Sequence, residues 1–403
     1  MEISRRRRLL AMCLTVGIVL LLTLLALELG VRAFVPVTDV YSYFYDPLLG
    51  PRIGPNQTGR MLRGRYIDAR YRFNNQGWNH ADDYQVARPP GTRRIALIGD
   101  SQVESLQVDY DRTLYAGAER EMSRPDRPVQ WYAFGNSGWG TNLHHEVLRH
   151  YVLDYEPDVV VLLFLQNDPY DSSPYLVSLP DYRPWFALDG RGGADLFLPA
   201  PHFQQRPRIG SRSALYRYLM HQRRLHDRWV ARGMTRRLYI GGLPLLAEGE
   251  GASQEGLIPG LAELTPDERG EKTWALTEVL LRQMRDESRR RGATFAIAFR
   301  GWTFEIEEPL TGVPFVVAPR EKDVYCLGER ASEMGREQVA PIAARLGIPY
   351  LDLTDALRAE VIRTGQSHVF PDDNHFNATA HEAAGRALAA WTARLLPATA
   401  AKR

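Results

Sequence analysis

The hydrophobic pattern sets an apolar N-terminal run apart from the rest of the chain. Residues 9–27 hold no charged side chain and are rich in Leu and Val, and four arginines directly precede them at positions 5–8. At about 1.5 Å per residue, a helix over this run is about 28 Å long, close to the thickness of a bilayer's hydrocarbon core. The pattern predicts a membrane-spanning helix over residues 9–29, within an anchor of residues 1–35.

The flanking charges predict the topology of this anchor. Basic residues favour the cytoplasmic side, so we expect the N-terminus in the cytoplasm and the remaining chain in the periplasm or outside the cell. A cleaved signal peptide is the alternative, and it requires a site of small residues after the apolar run. Glu28, Gly30 and Arg32 interrupt the small residues there. We therefore expect an uncleaved single-pass anchor in the cytoplasmic (inner) membrane.

Downstream, short apolar runs predict the strands of a parallel sheet. The clearest run, residues 158–165 (DVVVLLFL), shows no polar alternation, which is typical of a strand covered on both faces. We expect further buried strands at similar apolar runs, which cover residues 94–99, 129–134, 293–299 and 349–353.

Helical patterns separate these strands. Residues 143–155 have helical spacing, Thr265-Pro266-Asp267-Glu268 is a capping sequence that opens a helix to about residue 291, and residues 377–395 form an Ala-rich terminal helix. The alternation predicts an α/β fold, a three-layer α/β/α domain with a mostly parallel sheet of flavodoxin-like type.

The composition of the remaining segments predicts where the α/β domain begins and ends. Residues 36–92 are aromatic and rich in Gly and Pro, which predicts turns and short extended pieces as a lead-in. The α/β domain then covers residues 93–396, and residues 397–403 form a tail. Within the α/β domain, residues 170–260 depart from the alternation of strands and helices, and we expect them to be an insertion. A hairpin is predicted at residues 185–198 and an amphipathic helix at residues 211–232.

Charge and cysteine content narrow the function classes. With 44% hydrophobic and 24% charged residues the chain is typical of a folded protein, and a net charge of +2 gives no reason to expect a nucleic-acid partner. Cys13 lies inside the apolar run, so we expect it not to pair with Cys326. No metal site is expected, because His144, His145 and His150 lack a metal-binding spacing.

Polar residues follow three consecutive predicted strands. Gly99-Asp100-Ser101 comes after the first, the glycine-rich loop 135–140 after the second, and Asn167-Asp168 after the third. A fourth block, Asp372-Asp373-Asn374-His375, precedes the terminal helix. Each block alone is common in turns and helix caps. Together they supply a serine, a histidine base, a carboxylate and hydrogen-bond donors for an oxyanion, which is the set that acyl transfer through a serine needs.

The order and placement of these blocks resemble the SGNH hydrolases, also called GDSL-like lipases or acylhydrolases, over residues 93–396. The resemblance implies Ser101 as nucleophile, His375 as general base and Asp372 as the carboxylate that orients His375, since Asp372 can fold back within one turn. It also implies an oxyanion hole made by the Ser101 amide, the Gly138 amide and the Asn167 side chain.

Three details differ from this pattern or compete with it. Gln166 stands before Asn167 where the family often has a glycine, Gly135 competes with Gly138 for the oxyanion role, and Asp373 competes with Asp372 at a spacing that suits His375 less well.

The predicted function is ester chemistry outside the cytoplasmic membrane, without a cofactor. The location favours an ester-bearing glycan or lipid of the cell envelope as substrate, with O-acetyl esters included. Two alternatives stay open: a carbohydrate O-acyltransferase that uses the same triad, and a non-catalytic glycan-binding protein on a degenerate SGNH fold.

Overall fold

The computed structural model describes residues 5–176, 179, 183–198, 212–223, 225, 257–301, 303–311, 334–371 and 373–396. The chain forms two compact units. The first contains Met1–Val40, Gly59–Asp68 and Arg206–Leu245, and the second contains Tyr41–Thr58, Ala69–Gln205 and Leu246–Arg403. Cys326 and the tail 397–403 lie outside the described residues.

In the first unit, helix α1 (Arg5–Phe34) is 30 residues long. Its Leu, Val and Ile side chains are exposed, unlike those of a helix in a protein core. Among the described residues, α1 alone is long and apolar enough to cross a membrane. The prediction of an apolar N-terminal helix is confirmed.

The C-terminal end of α1 contacts a short helical segment of the predicted insertion. This segment is one α-helical turn (Ala214–Tyr216) followed by a π-helical turn (Arg217–Gln222). The Glu28 carboxylate accepts hydrogen bonds from Ser213 Oγ at 2.8 Å and from the backbone N–H groups of Ala214 and Leu215, both at 2.9 Å. Glu28 thus caps the N-terminus of this segment. The rest of the helix predicted at residues 211–232 lies outside the described residues.

The lead-in contributes two strand pairs. Strands β1 (Tyr43–Asp46) and β2 (Gly50–Ile53) are antiparallel, and β3 (Gln57–Arg63) and β4 (Ile67–Phe73) form another two-stranded sheet. These are the short extended pieces that its Gly and Pro content predicted.

The second unit is built on a five-stranded parallel sheet. Its strands are β5 (Arg93–Gly99), β6 (Val129–Gly135), β7 (Val159–Leu165), β10 (Thr294–Arg300) and β11 (Tyr350–Asp352). Their order across the sheet is β6-β5-β7-β10-β11, and every pair is parallel. The chain therefore starts in the sheet, steps to one side at β6 and then crosses to the other side at β7, which is the flavodoxin-like order.

Helices cover both faces of this sheet. Alternate residues of β5 enter different cores: Ile95 and Leu97 face one, Ala96 and Ile98 the other. The first core is closed by α3 (Leu114–Met122), α10 (Leu353–Thr364) and α11 (Ala378–Leu395), and the second by α4 (Thr141–Val147), α7 (Pro266–Arg290) and α9 (Met334–Leu346). The predicted three-layer α/β/α fold is confirmed.

Several predicted helix ends are confirmed by their caps. Thr265 and Glu268 form the reciprocal capping box at the start of α7, and the Asn377 side chain accepts from Ala380 N at the start of α11. After α4 the helix continues as a π-helical turn (Leu148–Val152) and a 3-10 turn (Leu153–Tyr155).

Side chains of the lead-in protect the edge strand β6. The Tyr84 hydroxyl donates to Ala133 O at 2.9 Å and accepts from Ala133 N at 2.6 Å, while His80 Nε2 lies 2.8 Å from Trp131 O. The outward backbone groups of an edge strand otherwise offer a template for pairing with another chain. Part of the lead-in thus closes this edge of the sheet.

The remaining described elements are short. The predicted hairpin is present as β8 (Trp185–Leu188) and β9 (Ala194–Phe197), which pack on α7. The other short elements are α2 (Ser101–Glu104), α5 (Asp168–Ser172), α6 (Ala214–Tyr216, the turn in the first unit), α8 (Thr303–Thr311), β12 (Val369–Phe370) and β13 (Asp373–Phe376).

Candidate active site

The predicted nucleophile lies on a tight turn between β5 and α2. Asp100 is the N-cap residue of α2, and its Oδ1 accepts from Gln102 N at 2.8 Å. Gly99 permits this turn, because a Cβ there would lie 2.5 Å from Val103 Cγ2. Ser101 follows as the first residue of α2 and is partly exposed. The turn therefore presents a serine hydroxyl at the carboxyl edge of the sheet.

The position of Ser101 coincides with the point where the strand order reverses. Ser101 follows β5 and Asn167 follows β7, and these two strands are neighbours from which the chain departs in opposite directions. In open α/β sheets the crevice outside the carboxyl ends of such strands binds ligands. The sequence blocks that follow β5 and β7 thus lie at the ligand-binding edge of the fold.

Gln102 ties the nucleophile helix to the strand that holds His375. Its Nε2 donates to Asn374 O at 3.1 Å, and its Oε1 accepts from Phe376 N at 3.1 Å. These two backbone groups flank His375 on either side. The buried Gln102 amide therefore fixes β13 beside α2, and with it the position of His375 relative to Ser101.

A carboxylate holds the imidazole of His375 from the same strand. Asp373 Oδ1 contacts His375 Nδ1 and also accepts from His375 N at 3.1 Å. Side chains two residues apart share one face of an extended strand, so this spacing brings the two groups together. An Nδ1–H donated to Asp373 leaves Nε2 as the basic nitrogen.

This contact bears on the competition between two neighbouring carboxylates. From the sequence alone, a turn is expected before His375, across which Asp372 reaches the ring, and Asp373 is the less suitable acid. The segment is instead the strand β13, and Asp373 makes the contact. Asp372 lies outside the described residues, and its orienting role stays a prediction.

The hydrogen bonds of the described residues include none from Ser101 Oγ. Serine–histidine bonds at catalytic centres are often long without substrate and shorten when the complex forms. His375 has a side chain 22% exposed, so a ligand in the crevice can reach its ring.

The loop after β6 contains Gly138, the glycine predicted as an amide donor. Gly138 has a φ of +71°, in the left-handed region that favours glycine, and it is exposed. Arg183, from the segment before β8, donates from Nη1 to Gly138 O at 2.5 Å.

Gly135 has a different reason to be glycine. A Cβ on Gly135 would lie 2.3 Å from Glu104 N and 2.6 Å from Val103 C. Because the backbones of β6 and α2 meet at this point, Gly135 is required by packing. Gly138 is the glycine that is accessible to a ligand.

The third predicted donor is engaged with an acidic side chain in this structure. Asn167 Nδ2 donates to Asp171 Oδ2 at 2.8 Å, and the Asn167 amide also opposes the increase that burial causes in the pKa of the neighbouring Asp100 carboxyl. The contact with Asp171 orients the amide, and an oxyanion would have to replace the Asp171 carboxylate as acceptor. Gln166, which departs from the family pattern, is buried beside it.

Arg300 is a polar residue near the site that the sequence analysis missed. It ends β10, where it pairs in register with Leu165, and its side chain is buried. Its Nη2 donates to Thr303 Oγ1 at 2.9 Å and lies 3.3 Å from His368 Nε2. Its position after a predicted strand was the available signal.

Burial and charge act together on Asp100 and Arg300. Burial raises the pKa of Asp100, whereas the Gln102 N–H and the charges of His375 and Arg300 oppose this increase. Burial lowers the pKa of Arg300 to about 10, and the charge of Asp100 opposes that decrease. Arg300 therefore remains a cation at neutral pH and favours the carboxylate form of Asp100.

A buried acid and a buried histidine lie beneath this edge of the sheet. His144 Nδ1 is 3.7 Å from Asp168 Oδ2, and both side chains are fully buried. Burial lowers the pKa of His144 to about 3 and raises that of Asp168 well above its usual value. Burial thus disfavours the charged form of both groups, and the pair is part of the protein interior. Across the described part of the chain, no group of three or more His, Cys, Asp or Glu side chains is arranged to hold a metal ion.

No protein family model matches the chain, and no curated protein matches it. Among solved structures, the chain is similar to a lipase/acylhydrolase from Enterococcus faecalis, with 14% identity over 77% of this chain and 100% of that one, at a TM-score of 0.37. It is also similar to an aryl esterase of M. smegmatis, with 13% identity over 75% of this chain and 100% of that one, at the same TM-score of 0.37.

A third similar structure is the acetyl xylan esterase AlAXEase, with 11% identity over 74% of this chain and 98% of that one, at a TM-score of 0.36. All three are esterases or acylhydrolases by name. The assignment of individual residues rests on the geometry of this chain.

Proposed function

We propose that this protein is a membrane-anchored serine esterase that cleaves ester bonds outside the cytoplasmic membrane. The observation that supports this most directly is the contact between α2 and β13. Gln102 binds the backbone on both sides of His375, while Asp373 holds Nδ1 of the same ring. A serine, an oriented histidine and a carboxylate thus converge on the ligand-binding edge of the sheet.

The proposed reaction proceeds through an acyl-enzyme. Ser101 Oγ attacks the ester carbonyl carbon as His375 Nε2 takes its proton, and the Nδ1–H bond to the carboxylate stabilises the imidazolium. The C–O bond to the alcohol then breaks, and His375 returns the proton to the leaving oxygen. Water attacks the acyl-enzyme in the same way, and the acid is released.

The oxyanion formed in each step needs several hydrogen-bond donors. The Ser101 N–H lies at the start of α2, and the Gly138 N–H belongs to the loop after β6. The Asn167 amide is the third donor, once it exchanges an acidic partner for the oxyanion. Donors fixed before the reaction lower the barrier, because they need no reorganisation as charge develops.

Contacts at the end of α1 support an uncleaved anchor. Glu28 caps the helix that starts at Ala214, and Arg32 Nη2 donates to Arg212 O at 2.6 Å. Cleavage beyond Arg32 would separate Glu28 and Arg32 from these partners. A tag placed before Arg5 should therefore remain on the membrane-bound protein, and its loss from the mature chain would show that the segment is a signal peptide.

The location and the site together suggest the substrate. A catalytic domain held beside the envelope meets acylated glycans and lipids, and ester hydrolysis by the proposed triad requires no cofactor. The substrate class proposed is therefore an O-acyl ester of an envelope glycan or lipid.

The first test is hydrolysis of a short-chain aryl acetate by the full-length protein in detergent. Wild type should turn over, and Ser101→Ala and His375→Ala should each lose about 10⁴-fold or more in kcat. A fluorophosphonate probe should label wild type and spare Ser101→Ala. Turnover only when a glycan acceptor is added would identify an acyltransferase, whereas folded wild type that neither turns over nor labels would leave a binding protein.

A further inference from the structure

One buried acid at the site has no part in the proposed reaction. Glu104 is the last residue of α2, and only 4% of it is exposed. Its carboxylate accepts from the Ser137 hydroxyl through Oε2. Burying a carboxylate costs free energy, which hydrogen bonds to the charged form partly offset.

The partner of Glu104 is the residue directly before a proposed oxyanion donor. Ser137 and Gly138 are both exposed at the mouth of the site, and the peptide that joins them carries the Gly138 N–H. Whatever fixes Ser137 therefore also fixes the direction of that N–H. Glu104 binds the Ser137 side chain, which precedes this peptide, while Arg183 binds the Gly138 carbonyl oxygen, which follows it.

Glu104 also belongs to the helix that begins with the nucleophile. Ser101 and Glu104 are three residues apart, so they lie on neighbouring positions of one helical turn. The two backbones approach closely at this point, since a Cβ on Gly135 would lie 2.3 Å from Glu104 N. The contact between Glu104 and Ser137 thus joins the two structures that carry the Ser101 N–H and the Gly138 N–H.

We propose that Glu104 is a positioning residue that fixes the loop of Ser137 and Gly138 to the nucleophile helix, so that the two amides point at the same oxyanion. This inference rests on the proposed esterase function. It assigns to Glu104 a contribution to kcat that is made through Ser137 and involves no contact with substrate.

The charge state of Glu104 should also make kcat depend on pH, which gives a second test of the proposal. Burial raises the pKa of Glu104 to about 7, while the Ser137 hydroxyl and the charge of His375 oppose this increase. The other titratable groups that face Glu104 are Asp100 at the start of α2, Tyr41 of the lead-in and Tyr115 of α3. A protonated Glu104 accepts hydrogen bonds less well, so the loop should be held less firmly below about pH 7.

The experiment compares Glu104→Gln, Ser137→Ala and the double variant with wild type, all as full-length protein. Glu104→Gln keeps the volume of the side chain and imitates its protonated form. We expect kcat for an aryl acetate at pH 8 to fall about 10- to 100-fold, with KM within about twofold, as for other residues that orient catalytic groups. Ser137→Ala should cause a similar decrease, and the double variant should lose little more than either single variant.

The pH profile separates positioning from a structural effect. In wild type, protonation of Glu104 should contribute to the decrease of kcat as pH falls through about 7. Glu104→Gln should lack this contribution and show a less steep acid limb. Ser101 should still react with a fluorophosphonate probe in this variant, at a rate reduced in parallel with kcat.

Glu119→Gln is the matched control. Burial raises the pKa of Glu119 to about 7 as well, but this carboxylate accepts from Trp131 N at 2.7 Å, away from the oxyanion loop. Its kcat and pH profile should equal those of wild type. The proposal is overturned if Glu104→Gln lowers kcat no more than Glu119→Gln, if the change is in KM, or if the effects of Glu104→Gln and Ser137→Ala add. Inert wild type would instead contradict the proposed esterase function.

Discussion

At the scale of single residues, the local conformation of the chain brings Asp373 into contact with His375. Asp373 and His375 lie two residues apart in β13, and both therefore project from one face of the strand. A turn at this place would favour Asp372, which is the outcome that the sequence alone predicts. The result depends on backbone dihedral angles, which the residue types Asp-Asp-Asn-His do not determine.

Asparagine substitutions distinguish the two acids. We expect Asp373→Asn to lower kcat about 10³- to 10⁴-fold, because an amide no longer stabilises the imidazolium or selects the Nδ1–H tautomer. Asp372→Asn should stay within about tenfold of wild type. Both are measured as kcat for an aryl acetate, and a larger loss in Asp372→Asn would return the orienting role to that residue.

Gln102→Met tests the link between nucleophile and base. The substitution keeps a long buried side chain but leaves Asn374 O and Phe376 N without their partner, so β13 should be held less firmly. We expect kcat to fall about 10- to 100-fold and the free energy of unfolding to fall by about 1–3 kcal/mol.

Gln107→Met is a suitable comparison for that variant, since Gln107 is also buried and follows α2 closely. Its kcat should stay near that of wild type. Equal losses of kcat in the two variants would show that Gln102 has no special role.

At the scale of elements, the packing of α2 on β6 determines how near the nucleophile and the oxyanion loop can come. The sequence contains glycines at 135 and 138 but does not distinguish their roles. The structure separates them, because Gly135 lies under α2, whereas Gly138 has a positive φ at an exposed position. The approach of two elements distant in sequence is a tertiary property, so the pattern of residues could not reveal it.

Gly135→Ala should disturb this packing. The added methyl group would lie 2.3 Å from Glu104 N, and backbone atoms cannot give way as a flexible side chain can. We expect the free energy of unfolding to fall by about 1–3 kcal/mol, together with a lower kcat. Denaturant unfolding and aryl acetate hydrolysis measure the two effects.

Gly91→Ala is the control for Gly135→Ala, because no atom lies within 4 Å of a Cβ at Gly91 and its positive φ of 76° adds only local strain. That variant should keep the kcat of wild type. Unchanged stability and kcat in Gly135→Ala would mean that α2 can move away from β6 at little cost.

At the scale of the whole molecule, buried ionisable groups should determine how stability depends on pH. Burial lowers the pKa values of His144, His368 and His381 to about 3 each, and raises those of Glu104 and Glu119 to about 7 each. As pH falls below about 6.5, the unfolded chain binds protons at the histidines that the folded protein excludes, so stability decreases. Between about pH 7 and 4.5 the folded protein binds protons at the two glutamates first, which increases stability.

The three histidines outnumber the two glutamates by one, so we expect stability to fall slowly, by about 1.4 kcal/mol per pH unit, as pH falls from about 6.5 to 4.5. Below about pH 4.5 the two glutamates are protonated in both states, and only the three histidines still bind more protons in the unfolded chain. Stability should therefore fall more steeply towards pH 3. Chemical denaturation across this range measures the curve. Glu119→Gln removes one opposing group, and its stability should already decrease relative to wild type as pH falls from 7 to 4.5. A curve parallel to that of wild type would contradict this assignment.

Much of the architecture could be predicted from the sequence because it follows from local chemistry. Three predicted features depend only on residues close together in the chain. They are the apolar run that ends before position 28, the continuous apolar run of β7 and the capping box at Thr265. Parallel strands bring their carboxyl ends to one edge of the sheet, and this rule alone predicts that the blocks of Ser101, Gly138 and Asn167 lie together.

What the sequence by itself determined, then, was the α/β fold, the apolar N-terminal helix and the residue types that gather at one edge of the sheet. Only the tertiary structure decided that Gln102 holds β13, that Asp373 contacts His375, that Arg300 lies near Asp100, and that Glu104 binds Ser137. The physical reason is range: hydrophobic periodicity and capping act within a few residues, whereas these contacts join groups distant in sequence or depend on a backbone conformation that the surrounding packing selects.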